Sequence, residues 1–358
     1  MDKVMVAMSG GVDSSVALLL LKECYEVIGA TLRLYSNEDI KQESRTCCSL
    51  RDIEDARFVA SKFGVKHYVF NFSELFKKDV IERFNKSYLN GETPNPCIDC
   101  NKYIKFDAML ERAISLSCQF LATGHYARIE YDKASGRWLL KKALSGTDIN
   151  EKDQSYVLYN LTQEQLAHVI FPLGSIDKEK VRTIAEKNEL VNSQKPDSQD
   201  ICFVPDGDYA GFIERYAGIV PQKGNVVSTQ GKLVGTHDGL IHYTIGQRRG
   251  LGISFGQPMY VVDKNVDTNT VVIGKNEDLF RKSLVAYECN WISIPTLTEA
   301  LRLKAKIRYK QREQSCTVFP LKNGEVYVEF DEPQRAITRG QRAVFYDNDI
   351  VVGGGIIK

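Results

Sequence analysis

The sequence predicts an α/β protein in three parts. We expect a parallel-sheet domain over residues 1–200, a small β-rich domain over 201–280 and a β-barrel over 281–358. Two observations predict this fold class. Short apolar runs alternate with amphipathic stretches in the first third of the chain, which is typical of a parallel sheet with helices on both faces. After residue 200 glycine becomes frequent and period-2 segments appear, and from about residue 284 nearly every segment is strand-like, which favours a small barrel.

Each apolar run in the first domain predicts a buried strand, and each stretch with helical spacing of apolar residues predicts a helix. The strands expected there are Val4–Met8, Val27–Leu34, Lys66–Asn71 and Phe120–Thr123, and the helices are Ser14–Glu23, Leu50–Phe63, Phe72–Asn90 and Phe106–Ser117. Turn signals such as Asn323-Gly324 separate the later strands. Those strands are Leu240–Ile245, Met259–Asp263, Thr270–Ile273, Val285–Ile292, Leu301–Tyr309, Gln314–Pro320, Glu325–Phe330, Gln341–Tyr346 and Ile350–Ile356.

Composition excludes several classes of protein. The chain has 358 residues, of which 43% are hydrophobic and 26% charged, so a mainly disordered or fibrous chain is excluded. The longest apolar run, Val16–Leu21, is far shorter than the roughly 20 residues that span a bilayer. Asp13 interrupts the first apolar region, so we expect no export signal, no membrane contact and a cytoplasmic location. In such a chain the nine cysteines are expected to be reduced.

The net charge of +1 conceals an asymmetry. Residues 281–358 carry 13 basic and 9 acidic side chains, whereas the rest of the chain is slightly acidic. A polyanion would therefore dock preferentially on the C-terminal part.

The segment Ser9–Ser15, which we call the phosphate loop, follows the first predicted strand and opens a predicted helix. Gly10 and Gly11 let backbone N–H groups approach an anion, and the helix N-terminus adds about half a positive charge. The pattern Ser-Gly-Gly-x-Asp-Ser differs from the two common nucleotide-binding glycine motifs. It resembles the PP-loop of ATP pyrophosphatases, which cut ATP between the α and β phosphates. The alternative interpretation is a tight turn with a Ser or Asp cap.

The segment Thr93–Cys100, which we call the cysteine loop, contains two prolines and a Cys-x-x-Cys pair. The prolines restrict the backbone to a defined shape. Lys102 and Lys105 follow, and we expect them to stabilise a thiolate and lower its pKa. Cys202 is the second notable cysteine. Three interpretations remain open for these thiols: a zinc site, although a second pair is missing; buried apolar cysteines, which suits Cys24, Cys118, Cys289 and Cys316 better; or sulfur transfer between two thiols.

Two further features have a structural and a functional interpretation. The adjacent pair Cys47-Cys48 favours packing or capping, because neighbouring cysteines do not easily bind one metal together. The basic segment, Leu301–Arg312, has a cation at every even position and apolar residues at the odd positions up to Tyr309. On a strand this pattern puts six cations on one face, about 6.6 Å apart. Such a row predicts contact with a nucleic-acid backbone, unless neighbouring strands supply counter-charges.

A pyrophosphatase loop, a paired-cysteine loop and a basic β-domain together point to adenylation of an RNA base followed by sulfur delivery. Over essentially its full length the chain resembles the bacterial tRNA-specific 2-thiouridylases, a PP-loop family with an adenine-nucleotide α-hydrolase-like first domain. The motifs that carry the resemblance are Ser9–Ser15, Thr93–Cys100 with Asn101-Lys102 and Ile104–Phe106, Ala122–Arg128, Lys152–Tyr156, Ile201–Phe203, His242–Leu251, and Arg339–Gln341 with Ala343–Tyr346.

The resemblance implies a site in three groups of residues. ATP, with Mg²⁺ to neutralise the pyrophosphate, is expected at Ala7, Met8, Ser9, Gly10, Gly11, Val12, Asp13, Ser14, Leu32 and Gly124. The target uridine is expected at Asn95, Pro96 and Cys97. Further tRNA contacts are expected at His125, Lys152, Asp153, Gln154, Arg308, Tyr309 and Gln341.

The resemblance also implies the sulfur chemistry. Cys202 would take sulfur as a persulfide from a sulfur-relay protein or a cysteine desulfurase. Cys100 would then attack the persulfide, release sulfide beside the activated uridine and leave a Cys100–Cys202 disulfide for a reductant to reset. His125 has a case of its own, because we expect it to end a strand at the carboxyl edge of the parallel sheet, where such sheets bind ligands.

One departure from the family leaves the cofactor open. Many relatives carry Asp where this chain has Cys97, and Asp99 lies two positions later. Cys97, Cys100 and Cys202 could therefore form a trio that holds an iron–sulfur cluster, as in some RNA-thiolating relatives, instead of the favoured persulfide relay. Two other functions are weighed against thiolation. A ligase acting on a small metabolite would need neither the paired cysteines nor the basic segment, and a non-catalytic RNA chaperone would leave the tRNA mass unchanged.

Overall fold

The computed structural model of the chain describes residues 1–36, 50–196, 201–252 and 256–358. Among these residues five strands form a parallel sheet in the order β3-β2-β1-β4-β9, so the predicted doubly covered sheet is confirmed. The strands are β1 (Lys3–Ala7), β2 (Glu26–Arg33), β3 (Lys66–Asn71), β4 (Phe120–Ala122) and β9 (Val169–Ile170). The central residues of β1, β2 and β4 are almost fully buried, as their apolar runs require, whereas the edge strand β3 is largely exposed.

Helices cover both faces of this sheet. Apolar residues of β1 divide between two buried clusters, with Met5 in one and Val4 and Val6 in the other, because successive side chains of a strand point to opposite faces. The helices are α1 (Val12–Lys22), α2 (Leu50–Lys62), α3 (Ser73–Phe76), α4 (Glu82–Leu89), α5 (Pro96–Asp99), α6 (Met109–Ser115), α7 (Gln163–Ala167), α8 (Lys178–Lys187) and α9 (Tyr209–Ala217), with π-helical segments Lys77–Ile81 and Cys100–Ala108 and a 3-10 turn Ser155–Leu158.

The central domain is a smaller mixed sheet in the order β11-β10-β13-β12. The predicted strand at Leu240–Ile245 is wrong, because Leu240–His242 forms a 3-10 turn and no pairing involves the residues that follow it within the described chain. Its alternation of apolar residues instead lets Ile241 and Tyr243 pack inward. The strands are β10 (Gly224–Ser228), β11 (Leu233–His237), β12 (Tyr260–Asn265) and β13 (Thr270–Gly274).

The C-terminal strands close into a barrel within residues 280–357, all of which the structure describes. The first strand, β14, pairs with both β17 and β19, which removes the free edges. The predicted barrel is therefore confirmed, except that the strand expected at Leu301–Tyr309 ends at Lys306. The strands are β14 (Phe280–Trp291), β15 (Leu301–Lys306), β16 (Gln314–Pro320), β17 (Val326–Arg335), β18 (Arg342–Asp347) and β19 (Ile350–Ile357), and a 3-10 turn at Lys322–Gly324 joins β16 to β17.

One hairpin crosses the expected domain boundaries. Strands β5 (Ala127–Asp132) and β6 (Arg137–Lys142) lie within the range predicted for the first domain, yet they extend the C-terminal sheet. Lys141 pairs with Ile350 of β19, and Arg128 forms an ion pair with Asp349 at 2.5 Å. The sequence reasoning missed this hairpin. A second, minor ribbon joins β7 (Leu144–Ser145) to β8 (Asp148–Ile149). In the described part of the chain, none of the helices is both long and apolar enough to cross a bilayer.

Candidate active site

The phosphate loop occupies the predicted position between β1 and α1. The N-cap of α1 is Gly11, and no side chain caps it. The first backbone N–H groups of the helix are therefore available to an anion, and the helix dipole adds positive potential there. Ser14 is drawn into the loop itself, because its hydroxyl donates to the Gly11 carbonyl at 3.0 Å and accepts from the Ser9 N–H at 3.2 Å.

Two glycines of the predicted ATP site have structural reasons to be glycine. Gly10 has φ +71°, and a Cβ there would lie 2.4 Å from the backbone carbonyl oxygen of Asp52. Gly124 packs directly on the phosphate loop, because a Cβ there would lie 2.8 Å from backbone atoms of both Asp13 and Ser14. A side chain at either position would displace the loop from its neighbours.

The carboxylate of Asp13 is neutralised from two sides. Lys178, the first residue of α8, donates to both carboxylate oxygens at 2.8 and 2.9 Å. The Tyr126 hydroxyl donates to the same carboxylate at 2.7 Å. This arrangement keeps a negative charge at the mouth of the phosphate loop from repelling phosphate groups. The sequence reasoning missed Lys178, because no local pattern marks it.

The remaining predicted ATP residues surround the carboxyl ends of the strands. Ala7 ends β1 and Leu32 lies near the end of β2, while Met8 is buried and its N–H donates to the Ala30 carbonyl at 2.7 Å. Ligands of parallel α/β sheets bind at this edge. Nucleotide contacts at these residues stay a prediction.

The cysteine loop is held by its own sequence and by the barrel. Asn95 caps α5 by accepting from the Cys97 N–H at 3.2 Å, and Pro96 fills the first helical position, where its missing N–H has no cost. The barrel side contributes two bonds to Thr93: its N–H donates to the Arg339 carbonyl at 2.9 Å, and its carbonyl accepts from the Gln341 amide at 2.7 Å. The first part of the loop is therefore held both by its own cap and by the barrel side.

Cys100 does not have the activated thiol that the sequence predicted. It is only 8% exposed, and burial raises its pKa to about 11; Lys105 opposes this shift, while Cys97 and Asp99 add to it. Lys102 instead lies 5.0 Å over the ring of Tyr103. The expectation that flanking lysines leave a lowered pKa is wrong, because desolvation outweighs one nearby cation.

Asp99, beside Cys100, forms a buried ion pair with Arg342 of β18. The two side chains approach to 3.3 Å, and each is less than one-tenth exposed. Burial raises the pKa of Asp99, and Arg342 opposes the shift most strongly. The pair joins the cysteine loop to the barrel, so loss of one partner would leave a buried charge and cost about 3–5 kcal/mol.

Cys202 lies near the carboxyl edge of the parallel sheet, at the end of β2. Its backbone carbonyl accepts from the Tyr35 hydroxyl at 2.6 Å, and Tyr35 lies just beyond the end of β2. Cys202 packs on the same apolar cluster that contains Cys100. The segment that precedes it, 197–200, and the pair Cys47-Cys48 lie outside the described residues. Of the cysteines expected to be buried, Cys118 and Cys316 are buried, Cys289 is half-buried, and Cys24 is exposed, so that expectation is wrong for Cys24.

The trio of Cys97, Cys100 and Cys202 does not form a ligand set for a metal cluster. Across the residues that the structure describes, no group of three or more His, Cys, Asp or Glu side chains is placed to hold a metal ion. Cys97 is exposed, Cys202 is half-buried and Cys100 is buried. In this conformation the three thiols therefore do not fit an iron–sulfur cluster.

His125 connects the nucleotide side to the thiol side. It lies three residues beyond the end of β4, not at the strand end as predicted. Its ring nitrogen shares a hydrogen bond of 2.6 Å with the Thr123 hydroxyl, and its ring packs 5.7 Å from that of Phe106. Burial first and Lys105 second hold the pKa of His125 well below its usual value, so the imidazole is neutral at pH 7.

Comparison with known proteins identifies the family. Residues 2–206 match the tRNA methyl transferase HUP domain, 210–275 the tRNA methyl transferase PRC-barrel domain and 281–357 the aminomethyltransferase beta-barrel domain. The chain is 52% identical to the tRNA-specific 2-thiouridylase MnmA of Clostridioides difficile, with 99% of this chain and 98% of the relative covered. It is 53% identical to tRNA-specific 2-thiouridylase MnmA 2 of Caldanaerobacter subterraneus, with 100% and 98% covered. The chain belongs to the tRNA-specific 2-thiouridylase family.

In this family member, the segment predicted to contact tRNA at Lys152–Gln154 is mostly committed to internal bonds. Lys152 is exposed. Asp153 is buried, and its carboxylate accepts from the Ala143 N–H at 3.0 Å and the Ser155 hydroxyl at 2.8 Å. Gln154 exchanges two bonds with the backbone of Tyr126, at 3.0 and 2.8 Å. The position of Asp153 argues against the predicted contact with tRNA, whereas for the exposed Lys152 that contact stays a prediction.

The basic segment is not the row of six cations that the pattern predicted. After Lys306 the chain leaves the strand, and Arg308 turns inward to donate to the Ala336 carbonyl at 3.0 Å and the Thr338 hydroxyl at 2.9 Å. Arg302 is exposed and forms a bidentate ion pair with Asp331. The alternative interpretation, counter-charge from a neighbouring strand, is therefore correct for Arg302.

Two other residues predicted to contact tRNA, Gln341 and Tyr309, differ in how free their side chains are to reach a ligand. The side chain of Gln341 is engaged by Thr93, so in this conformation it positions the cysteine loop. Tyr309 is 36% exposed, and its pKa is raised by burial first and by the charges of Asp153 and Cys97. Cys97, one of the residues predicted to line the uridine, thus acts electrostatically on Tyr309. Its contact with tRNA stays a prediction.

Proposed function

We propose that this protein is a tRNA 2-thiouridylase, which adenylates the C2 carbonyl of the wobble uridine with ATP and then replaces that oxygen with sulfur. One set of contacts carries the proposal, because it links the phosphate loop to Cys100 through the residues that follow β4. Gly124 packs on Asp13 and Ser14, and Lys105 acts electrostatically on both His125 and Cys100. A nucleotide at the phosphate loop would therefore have its α-phosphate near the thiol side.

The first step forms a bond between the uridine oxygen and phosphorus. The C2 carbonyl oxygen attacks the α-phosphorus of ATP, pyrophosphate leaves, and AMP becomes attached to the base. The open N-terminus of α1 stabilises the negative charge on the phosphates. Lys178 supports this role by cancelling the charge of Asp13. A poor leaving group is thereby converted into AMP.

The second step delivers sulfur. Cys202 carries the sulfur as a persulfide, Cys202–S–SH, supplied by a sulfur-relay protein or a cysteine desulfurase. The Cys100 thiolate attacks the sulfur of Cys202, which forms the Cys100–Cys202 disulfide and releases HS⁻. The sulfide adds to C2, AMP leaves with the original oxygen, and a proton is lost. A two-electron reductant such as a dithiol then returns both cysteines to thiols.

The high pKa of Cys100 has a role in this sequence. A thiol with a pKa of about 11 is almost wholly protonated at pH 7. It would therefore not attack before the site is occupied, and Lys105 is the residue placed to favour its thiolate. We infer that the approach of tRNA and nucleotide changes the surroundings of Cys100 before it reacts.

The donor set favours the persulfide relay over a cluster. The three thiols differ in exposure, and the described residues offer no ready metal group. Asp13 is engaged by Lys178 and Tyr126, so Mg²⁺ would be held mainly by the phosphate oxygens of ATP, whose charge it would neutralise. We propose a cytoplasmic enzyme without a membrane partner.

The function is tested by incubating the protein, stripped of iron under anaerobic conditions, with ATP, Mg²⁺, unmodified tRNA and a persulfide donor. The tRNA is then digested to nucleosides, and their masses are measured by mass spectrometry. We expect thiouridine, with AMP and pyrophosphate released in equal amounts. Absence of thiouridine with and without restored iron would refute the function. Thiouridine only after iron and sulfide are restored would refute the relay.

Cysteine variants separate the roles of the thiols. Cys100→Ser and Cys202→Ser should abolish thiouridine while ATP binding persists, because each removes one sulfur of the exchange. The exposed control Cys24→Ser should retain full activity, and Cys97→Ser should still form thiouridine, with a change in tRNA affinity at most, because Cys97 lines the predicted uridine site without exchanging sulfur. Loss of activity in Cys97→Ser together with loss of bound iron would favour the cluster, whereas wild-type turnover in Cys100→Ser or Cys202→Ser would remove both roles.

A further inference from the structure

The Gly10 carbonyl of the phosphate loop is held by two side chains from a distant segment. It accepts from the Asn192 amide nitrogen at 3.0 Å and from the Lys195 ammonium at 3.1 Å. Both donors come from the stretch after α8, which the sequence analysis did not single out. Asn192 is only 3% exposed, so its bond is shielded from water.

These two bonds fix the direction of one peptide group. The peptide between Gly10 and Gly11 is trans, since no cis bond occurs in the described chain. In a trans peptide the C=O and N–H groups point in opposite directions. With its carbonyl turned to Asn192 and Lys195, this peptide directs the Gly11 N–H to the opposite side, where α1 begins. A flipped peptide would instead present its carbonyl there and repel phosphate.

Both donors are themselves braced. Lys195 forms ion pairs with Asp52 at 2.6 Å and Asp55 at 2.8 Å, both on α2. Burial lowers the pKa of Lys195, but these hydrogen bonds outweigh it and leave the pKa raised, so the ammonium is charged at neutral pH. Asn192 also donates to the Ser15 hydroxyl at 2.9 Å. The backbone of Asp52 also packs closely on Gly10, because a Cβ at Gly10 would lie 2.4 Å from the Asp52 carbonyl oxygen.

We propose that Asn192 and Lys195 are positioning residues for ATP, which lock the Gly10–Gly11 peptide so that its N–H faces the nucleotide phosphates. The inference deepens the proposed function and rests on the phosphate loop being its ATP site. It predicts a defect specific to the phosphates. The adenosine part of the nucleotide should be bound as before.

The test measures competition of ATP and of adenosine against a fluorescent ATP analogue bound to the full chain, without tRNA. Lys195→Met should lower the affinity for ATP by about tenfold to a hundredfold, which is the contribution of one charge-assisted hydrogen bond to the backbone. The affinity for adenosine should stay unchanged. Lys195→Arg should recover part of the loss, because it restores a cationic donor. The triple variant Lys195→Met, Asp52→Asn, Asp55→Asn should have the same ATP affinity as Lys195→Met. It removes the carboxylates that Lys195→Met leaves unpaired, but it does not restore the bond to the Gly10 carbonyl.

Lys62→Met is the matched control. Lys62, on α2, likewise joins α2 to the stretch after α8, because it donates to the backbone carbonyls of Asn188 and Glu189, both at 2.9 Å, but those residues lie outside the phosphate loop. Its ATP affinity should equal that of the wild type. An equal loss for ATP and adenosine in Lys195→Met, the same loss in Lys62→Met, or no loss at all would overturn the proposal. Wild type that binds ATP tightly but produces no thiouridine would refute the proposed function and leave this inference standing.

Discussion

The phosphate loop and the basic segment are both sequence patterns that predict contact with phosphate, but only the phosphate loop has its predicted form in the structure. The phosphate loop keeps its predicted form because its chemistry belongs to the backbone, whose path is set by one strand, two glycines and one helix start. The basic segment depends on six side chains keeping one direction, and neighbouring elements decide that. Asp331 forms an ion pair with Arg302, and because β15 ends at Lys306, the side chain of Arg308 turns inward. Patterns carried by the backbone are therefore more predictable than rows of long side chains.

Gly10→Ala should produce the largest effect and tests the backbone half of this comparison. Its Cβ would meet the Asp52 carbonyl at 2.4 Å, so the loop must move and lose charge-assisted bonds to phosphate. We expect ATP affinity to fall by roughly a hundredfold or more. Gly64→Ala is the control, because Gly64 has φ +65° and open space around it. It should lose about 1 kcal/mol of stability and no ATP affinity, and an equal loss in both variants would contradict the steric argument.

The pH dependence of Cys100 tests whether burial or neighbouring charge dominates at a thiol. With a pKa raised from 9.0 to about 11, Cys100 has about a hundredfold less thiolate at pH 7 than an ordinary cysteine. Its alkylation by iodoacetamide, followed by peptide mass, should rise about tenfold per pH unit between 7 and 10. Native stability should fall as the pH rises from about 9 to 11, since the unfolded thiol ionises first. Lys105→Met should slow alkylation further, and a plateau near pH 8 would refute the burial argument.

Arg308→Met tests the inward half of the basic segment. Arg308 donates to the Ile245 and Ala336 carbonyls and to the Thr338 hydroxyl. Its loss should lower the free energy of unfolding by about 1–3 kcal/mol, measured by urea denaturation. The slope of tRNA affinity against salt concentration should stay unchanged. A flatter slope with wild-type stability would show that Arg308 contacts the RNA after all.

Lys304→Ala tests the outward half and should have the smallest effect. Lys304 is exposed on β15, so a tRNA phosphate bound there releases about one counterion, and the variant should flatten the salt slope by about 1. Arg302→Ala on the same strand is the control. Because Asp331 already neutralises Arg302, its removal should change the slope less. Equal changes in both would mean that the ion pair opens for RNA.

The sequence predicted more of the fold than of the site. The parallel strands β1 to β4 were found within a residue or two from their short apolar runs, whereas the two-residue β9 was missed, and the barrel was found because its strands alternate. The site was predictable where a motif is local, as in the phosphate loop. It was not predictable where residues meet across the chain: Lys178 on Asp13, Lys195 on Gly10 and Arg342 on Asp99 join positions more than a hundred residues apart. The pKa of Cys100 was misjudged for the same reason, since its burial is a tertiary property.

The hairpin β5–β6 has a consequence for how the protein is made. A ribosome releases the chain from its N-terminus, so residues 127–142 emerge long before Ile350, the partner of Lys141. During that interval the outer edge of β6 is a strand without its neighbour, which invites pairing with another nascent chain. The first domain therefore acquires its final neighbours only when the last strand is synthesised. Shortened chains that end before residue 350 should therefore aggregate and be readily cleaved by proteases, even though their parallel sheet is complete.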